Sequence, residues 1–472
     1  MAQYLFGAAV QGIQQFIFQT NALKDIIGRS DIVEQICTDL FVSVLSKGPD
    51  YKAESDPNFI VHAAGNVKYV FDSEDECRRV VRSFPKTVME QAPGITVSQA
   101  VVPLTGDFGA DVDLLETRLR IQRNRPLAYG SAGMCAIRRN ARTGFPALLK
   151  PGFPDEGSFQ AASHYDAKAL CLKAFGQDVD SKRFPYNIDS MTGQNDWVAV
   201  IHADGNGLGQ IIQRIGHNRE ELRTFSIALD HHTAAAARSA YETVRKEFGF
   251  DELKTIPIRP IVLSGDDFTA ICRADIAVEY AKAFMDSFER ETGLTACAGI
   301  SFVKSSFPFS FAYTLAEELC SAAKADAKAD EAVRSGRVLP PSCLLFHKVQ
   351  DSTVEDFEQI KARELMPAEG YSLCFGPYYL HKKSQRWTVD QLEDAVFKLD
   401  GRNGNIAKTA LRRWLSAINV DPEMAKQLIV RACTVNKQLE QFLTTMTSPG
   451  SRGSVPTYDV LAFHTILNQK TR

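Results

Sequence analysis

Apolar positions along this chain change period several times, and each change predicts an element. Residues 197–203, WVAVIHA, are apolar on both faces, as a central strand should be. The run stops at Asp204, and Gly205, Gly207 and Gly209 follow at once, with Asn206 between them. A helix is predicted over about 220–248, with Leu222, Phe225, Leu229, Ala236, Ala240 and Val244 on one stripe. A second, near 310–328, places Ala312, Leu315, Ala316, Leu319, Ala322 and Ala323 at helical spacing. Between them, the apolar runs IVL and FTAIC flank LSGDDF. Ser264 and Gly265 supply turn chemistry there, so the stretch predicts a β-hairpin with Asp266 and Asp267 at its tip. Thr388 with Gln391 makes a capping-box signal ahead of Leu392, Ala395, Val396 and Leu399. Asp421 before Pro422 opens a further helix.

Part of this pattern occurs twice. YLFGAAVQGIQQFI (4–17) lays over AVIHADGNGLGQII (199–212), pairing Ala9 with Asp204 and Gly12 with Gly207. IVHAAGNVKYVF (60–71) lays over PIVLSGDDFTAI (260–271), pairing Gly65 with Gly265. GITVSQAVV (94–102) lays over GLTACAGIS (293–301). Each copy predicts strand, helix, strand–turn–strand, helix, strand, the split βαβ pattern of ferredoxin-like domains. The expected fold is therefore α+β. Residues 1–129 form a first, degenerate domain and 130–195 an irregular connector rich in Gly, Pro and Arg. Residues 196–335 form a second domain, and SGRVLPPS (335–342) marks a boundary before a helical domain over 336–472.

Length and composition narrow the classes. The chain has 472 residues, 44% of them hydrophobic, which supplies several cores and argues against disorder. A net charge of −3 makes no general polyanion sink, so any nucleic-acid contact must come from a local patch and no DNA partner is expected. Lys408, Arg412, Arg413, Lys426 and Arg431 are the candidates for an RNA-facing patch, against the plainer reading of a wet helix face. No apolar run reaches membrane-span length, and the N-terminus lacks a basic segment of the signal-peptide kind. The ten cysteines are scattered without a CxxC pair, which fits free thiols in a reducing cytosol. A cytoplasmic location is expected.

The chemistry sits in the second copy. A ferredoxin-like sheet places its first strand beside the hairpin, which would bring Asp204, Asp266 and Asp267 to one edge. Uncompensated, three carboxylates there repel. Hard carboxylate oxygens suit Mg2+ or Mn2+, with the Gly205 backbone beside them, and two such ions can serve phosphoryl-group chemistry. The glycines after Asp204 let backbone N–H groups approach a triphosphate. The nucleotide-binding candidates are thus Asn206, Gly207, Gly209, Ser264 and Gly265, with Lys324 within reach of phosphate. His202 shares strand parity with Asp204 but reads as a structural histidine. DHH at 230–232 falls inside a predicted helix with no companion motif and is discounted. The first copy has lost its acids: Ala9 stands for Asp204, and Asn66 and Val67 stand for Asp266 and Asp267. Its glycines remain, so Gly12, Gly65 and Asn66 could line an acceptor pocket facing the active one.

VQGIQQFIF, HADGNGLG, LSGDDF and ACAGISFVKSSFPFSFAYTLAEEL resemble the palm domains of the large subunit of type III CRISPR effector complexes and, more distantly, the GGDEF-type cyclases. The resemblance covers about 1–125 and 195–330. It implies a polymerase-like palm with two-metal chemistry on ATP, joining it 3′–5′ into cyclic oligoadenylate messengers. It assigns Asp204, Asp266 and Asp267 as the metal-binding acids and Gly265 as the glycine before them. Ser264 departs from the usual Gly-Gly-Asp-Asp. The motifs of an N-terminal HD nuclease domain are not found, and the zinc-knuckle cysteines expected near 134–135 are missing, which implies a stand-alone or reduced relative. The expected activity is a metal-dependent nucleotidyltransferase making a cyclic di- or oligonucleotide from ATP or another NTP, in antiviral defence, with RNA or a protein as regulator. The alternative is a non-catalytic palm scaffold or sensor that binds nucleotide or RNA. No pattern gives an oligomeric state.

Overall fold

A computed structural model describes residues 3–125, 138–139, 167–192, 196–440, 443 and 456–468, apart from positions 46, 49–50, 64, 352, 368–371, 383–385, 400–403, 419 and 438. Most of the 130–195 connector, with Met134 and Cys135, lies outside the described residues.

The first sheet contains β1 (Tyr4–Gln11), β2 (Phe59–Ala63), β3 (Asn66–Phe71) and β4 (Thr96–Pro103). Its order is β2-β3-β1-β4, with every neighbouring pair antiparallel. Helices Leu23–Gln35 and Glu74–Gln91 make the two crossovers. The second helix starts where the Ser73 side chain accepts from the Glu76 N–H, satisfying one of its orphan donors. This order is that of a split βαβ domain. Leu5, Ile60, Val70, Val102, Leu115 and Leu119 form a core that Leu222 also joins.

The second sheet repeats the permutation. β5 (Trp197–Gly205), β6 (Ile258–Ser264), β7 (Asp267–Arg273) and β8 (Ala296–Lys304) stand in the order β8-β5-β7-β6. The two ferredoxin-like palms expected from the sequence repeat are both present. The predicted helices appear as Arg219–Glu247 and Phe309–Ala327. Phe309–Ala327 can lie close on β8 because Gly299 leaves room: a Cβ there would strike the Ala316 carbonyl and the Cys320 N–H. Ser301 Oγ donates to the Ala312 carbonyl at 2.6 Å from the same face.

The C-terminal region, 336–472, is helical as expected, but two strands precede its main helices. Cys343–Lys348 is a strand, β9, parallel to β8, and Tyr378–Tyr379 adds β10 beyond it. A fully buried run such as CLLFH has no amphipathic period, so periodicity cannot separate strand from helix there. The helical part follows, as Val389–Leu399, Gly404–Ile418, Pro422–Val435 and Thr457–Leu467. The capping box forms as expected: Thr388 N–H donates to Gln391 Oε1 at 2.9 Å, and Gln391 N–H donates to Thr388 Oγ1 at 3.2 Å. Asp421 Oδ1 accepts from the Glu423 and Met424 N–H groups at the next helix start. The nine described cysteines are free. Among the described residues no helix is long and apolar enough to cross a membrane.

Candidate metal centre

Asp204 sits near the end of β5, whose residues Val198, Ala199, Val200 and Ile201 are fully buried. A strand packed this way cannot slide, so its terminal carboxylate is held in place. The hairpin opposite is tight. β6 ends at Ser264 and β7 begins at Asp267, so Gly265 and Asp266 alone make the loop. Gly265 has φ 61°, the left-handed conformation that two-residue hairpin loops demand.

β5 and β7 are neighbours. His202 Nδ1 meets Thr269 Oγ1 at 3.1 Å across them. With antiparallel pairing and side chains alternating by two, that contact sets Asp204 opposite Asp267. The first sheet shows the same register with its own residues: Gly7 pairs with Lys68 and Ala9 with Asn66. In the second sheet the outcome is a cluster. Asp204, Asp266 and Asp267 each offer a carboxylate oxygen, and these oxygens lie within 4.8 Å of one another. Among the described residues no other group of three His, Cys, Asp or Glu converges so closely.

The surroundings are charged and braced. Lys324, one turn from the end of the Phe309–Ala327 helix, donates from Nζ to Asp204 Oδ2 and, at 2.9 Å, to the Gly205 carbonyl. Burial works to lower the Lys324 pKa, but the Asp204 charge and hydrogen bond outweigh it and hold the ammonium above its ordinary value. His202 is 7% exposed; burial pushes its imidazole down to about 4, against the pull of Asp204. It is therefore neutral near pH 7, a packed residue between Thr269 and the Tyr313 ring, as its structural reading required. Thr233, 1% exposed on the long helix, has its Oγ1 2.6 Å from the Gly265 carbonyl and 2.8 Å from the Leu229 carbonyl. Lys173 donates to the Leu263 carbonyl at 2.9 Å and pairs with Asp230 at 3.0 Å. Both brace the strand and turn that carry the acids.

The remaining sequence candidates divide. Gly207 caps the helix Leu208–Ile215 with φ 80°, and Gly12 caps Ile13–Ile17 with φ 66°, so this pair of the repeat is matched in conformation. Gly209 is exposed, with open space where a Cβ would stand. Ser264 ends β6 beside the turn. Asn206 departs from its expected place at nucleotide. It is 1% exposed, and its Nδ2 turns inward to Thr295 Oγ1 at 3.1 Å and Cys297 Sγ at 3.3 Å. Its backbone N–H also goes to the Thr295 carbonyl, at 2.7 Å, so this asparagine fastens the glycine turn to β8. The pairing of Gly65 with Gly265 slips by one. Gly65, φ 75°, is the second residue of its two-residue loop and Gly265 the first. Asn66 thus stands for Asp267 and Gly65 for Asp266. Of the discounted DHH, Asp230 is paired with Lys173 and His231 lies 4.0 Å from Glu54.

Thr233 and Lys173 escaped the sequence reading. Both act on backbone carbonyls far along the chain, which leaves no motif. The donor set itself fits a hard divalent cation: three carboxylates, half-buried to exposed, converging within 4.8 Å of one another. Magnesium or manganese would be held by Asp204, Asp266 and Asp267.

Residues 197–333 match the family model described as Cas10/Cmr2, second palm domain. No curated protein matches the sequence. Among solved structures, Csm1 in a Csm1–Csm4 cassette with cA4 is 14% identical, with a TM-score of 0.58, covering 100% of this chain and 70% of that one. The cassette with pppApApA gives 14% identity and a TM-score of 0.59, covering 99% and 69%. The Csm1–Csm4 subcomplex of the type III-A CRISPR-Csm interference complex gives 14% and 0.56, covering 100% and 70%. The chain thus has the Cas10-like palm fold of these Csm1 chains, and its residues 197–333 match the second palm domain of the Cas10/Cmr2 family.

Proposed function

We propose that this chain is a nucleotidyltransferase that joins ATP, or another NTP, by 3′–5′ phosphodiester bonds into a cyclic di- or oligonucleotide messenger. One observation carries the reading: three carboxylate oxygens from β5 and the β6–β7 loop within 4.8 Å of one another. Such a cluster is unfavourable unless a cation shares it. Two Mg2+ or Mn2+ ions there would neutralise phosphate charge and lower the pKa of an attacking hydroxyl. The likeness to cassettes crystallised with AMPPNP, with pppApA and with cA4 agrees in kind.

In this reading the chain's own residues position and neutralise. Asp204, Asp266 and Asp267 present the negative edge. Gly207 and Gly209 leave the backbone open to a triphosphate, and Lys324, already at Asp204, offers its ammonium to the phosphates. The 3′-oxygen of one nucleotide displaces pyrophosphate from the α-phosphorus of the next, and the hydroxyl proton passes to solvent. The first palm, lacking the acids, holds the acceptor nucleotide near Gly12, Gly65 and Asn66. The setting is cytoplasmic antiviral defence, with RNA or a protein partner as regulator. The domain limits are those of the sequence reading, 1–129, 130–195, 196–335 and 336–472.

The test is incubation with each NTP and Mn2+, followed by mass spectrometry. Cyclic products lost in Asp266→Asn and Asp267→Asn support the reading. A second reading, a palm that binds nucleotide without turnover, draws on the Lys324–Asp204 pair, which neutralises one acid without a metal. Bound but unreacted nucleotide in the same experiment would favour it.

A further inference from the structure

Two cysteines face each other beneath the glycine turn that follows Asp204. Cys297 of β8 is in register with Cys343 of the parallel strand β9, and their sulfurs stand 3.7 Å apart. On its other side Cys297 Sγ accepts from Asn206 Nδ2 at 3.3 Å. Cys343 Sγ lies 3.4 Å from the carbonyl of Ala323, the residue before Lys324. The pair thus touches both segments that flank the Asp204–Lys324 ion pair: the turn after β5 and the end of the Phe309–Ala327 helix.

The sheet fixes what these thiols can do to each other. Neighbouring strands run about 4.8 Å apart. A disulfide spans Cα separations of about 4.4–6.8 Å, most often 5.5–6 Å. Two in-register cysteines on adjacent strands therefore bridge without moving the backbone. The span is below the preferred one, so such a bond is readily reduced again. Cys320, the third cysteine here, gives its thiol to the Cys297 carbonyl at 3.2 Å and forms no part of the pair. The Asn206 amide donates to Cys297, so Cys297 is the sulfur better placed to carry negative charge.

We infer that Cys297 and Cys343 form a reversible thiol–disulfide site that responds to hydroperoxide and acts on the turn after Asp204. The Cys297 thiolate attacks one oxygen of hydrogen peroxide, the O–O bond breaks, and hydroxide leaves with the thiol proton as water. The Cys343 sulfur then attacks the sulfenic sulfur, the S–O bond breaks, and hydroxide leaves with the Cys343 proton as a second water. Two thiols lose two electrons and peroxide gains them. A dithiol reverses the step by exchange. Both side chains are fully buried, so oxidation runs only as fast as the sheet end opens locally. The disulfide has no S–H for the Ala323 carbonyl, and closing the sulfurs to about 2.05 Å draws Cys297 Sγ off the Asn206 amide. None of this depends on the proposed activity.

The experiment uses the full chain, reduced with dithiothreitol, freed of it and exposed to hydrogen peroxide. Remaining thiols are alkylated in acid denaturant and the peptides mapped by mass spectrometry. The expected result is a Cys297–Cys343 cross-link that dithiothreitol removes. In Cys343→Ala the link is absent and dimedone traps a sulfenic acid on Cys297. Amide hydrogen exchange of residues 205–210 is expected to quicken several-fold in the oxidised chain and to stay unchanged in peroxide-treated Cys343→Ala. Recovery of Cys297 and Cys343 as free thiols while the partly exposed Cys374 and Cys433 are oxidised overturns the inference, as does a link from either to another cysteine in its place. A Cys297–Cys343 link with unchanged exchange at 205–210 overturns its action on the turn.

Discussion

Lys324 donates to Asp204 across the space between the Phe309–Ala327 helix and the end of β5, so one of the three acids already holds a cation of the protein's own. A lysine ammonium and a metal ion compete for the same carboxylate. Lys324→Met is expected to strengthen Mn2+ binding several-fold in the absence of nucleotide. The same change weakens NTP binding, because the phosphates lose a charged donor. It also costs about 1 kcal/mol of stability without metal, the scale of a partly exposed pair. Calorimetric titration with Mn2+ and with an ATP analogue reads both signs; Mn2+ binding that weakens would contradict the competition.

Thr233 joins the long helix to the acid-bearing hairpin through the Gly265 carbonyl, 2.6 Å away. Thr233→Val keeps the shape and removes the hydroxyl. Stability should fall by about 1 kcal/mol, and Mn2+ affinity should fall with it because the turn before Asp266 loses its brace. Thr233→Ser should restore both. A valine variant with unchanged Mn2+ affinity would show that the hydroxyl serves only its own helix.

Asp459 gives a pH signature away from the site. Burial in the Thr457–Leu467 helix raises its pKa to about 7, opposed by the Tyr378 hydroxyl, which donates to Oδ2 at 2.8 Å. The fold prefers this carboxyl neutral, while the unfolded chain ionises it near 3.8. Stability from this group is present below about 3.8 and is lost as pH rises toward about 7. Asp459→Asn keeps an acceptor for Tyr378 and has no charge to bury. Relative to the unaltered chain it should gain up to about 4 kcal/mol between pH 4 and pH 8. Urea unfolding at the two pH values measures this; a pH-independent difference would contradict it.

What the sequence made legible follows from physics that acts locally. Gly12 and Gly207 could be paired because a left-handed helix start needs glycine in both copies. Asp421 and the Thr388–Gln391 box announced helix starts because caps are made within four residues. The hairpin acids were visible because turn residues and apolar runs bracket them. The misses are long-range. Asn206 looks like a turn residue facing ligand, and only the packing of β8 shows its amide turned to Thr295 and Cys297. The one-residue slip between Gly65 and Gly265 is invisible in a string, since glycine suits either loop position. β9 is too apolar to carry a period. Lys324 sits on a helix whose spacing alone does not say which lysine turns toward Asp204.

The account rests on the three aspartates sharing divalent ions, and isothermal titration of the metal-stripped full chain with Mn2+ tests this most directly. The prediction is saturable binding of up to two ions, lost or weakened by at least about a hundredfold in Asp266→Asn and in Asp267→Asn while each variant keeps its unfolding transition. Mn2+ binding of the same strength in the unaltered chain and in both variants would contradict it.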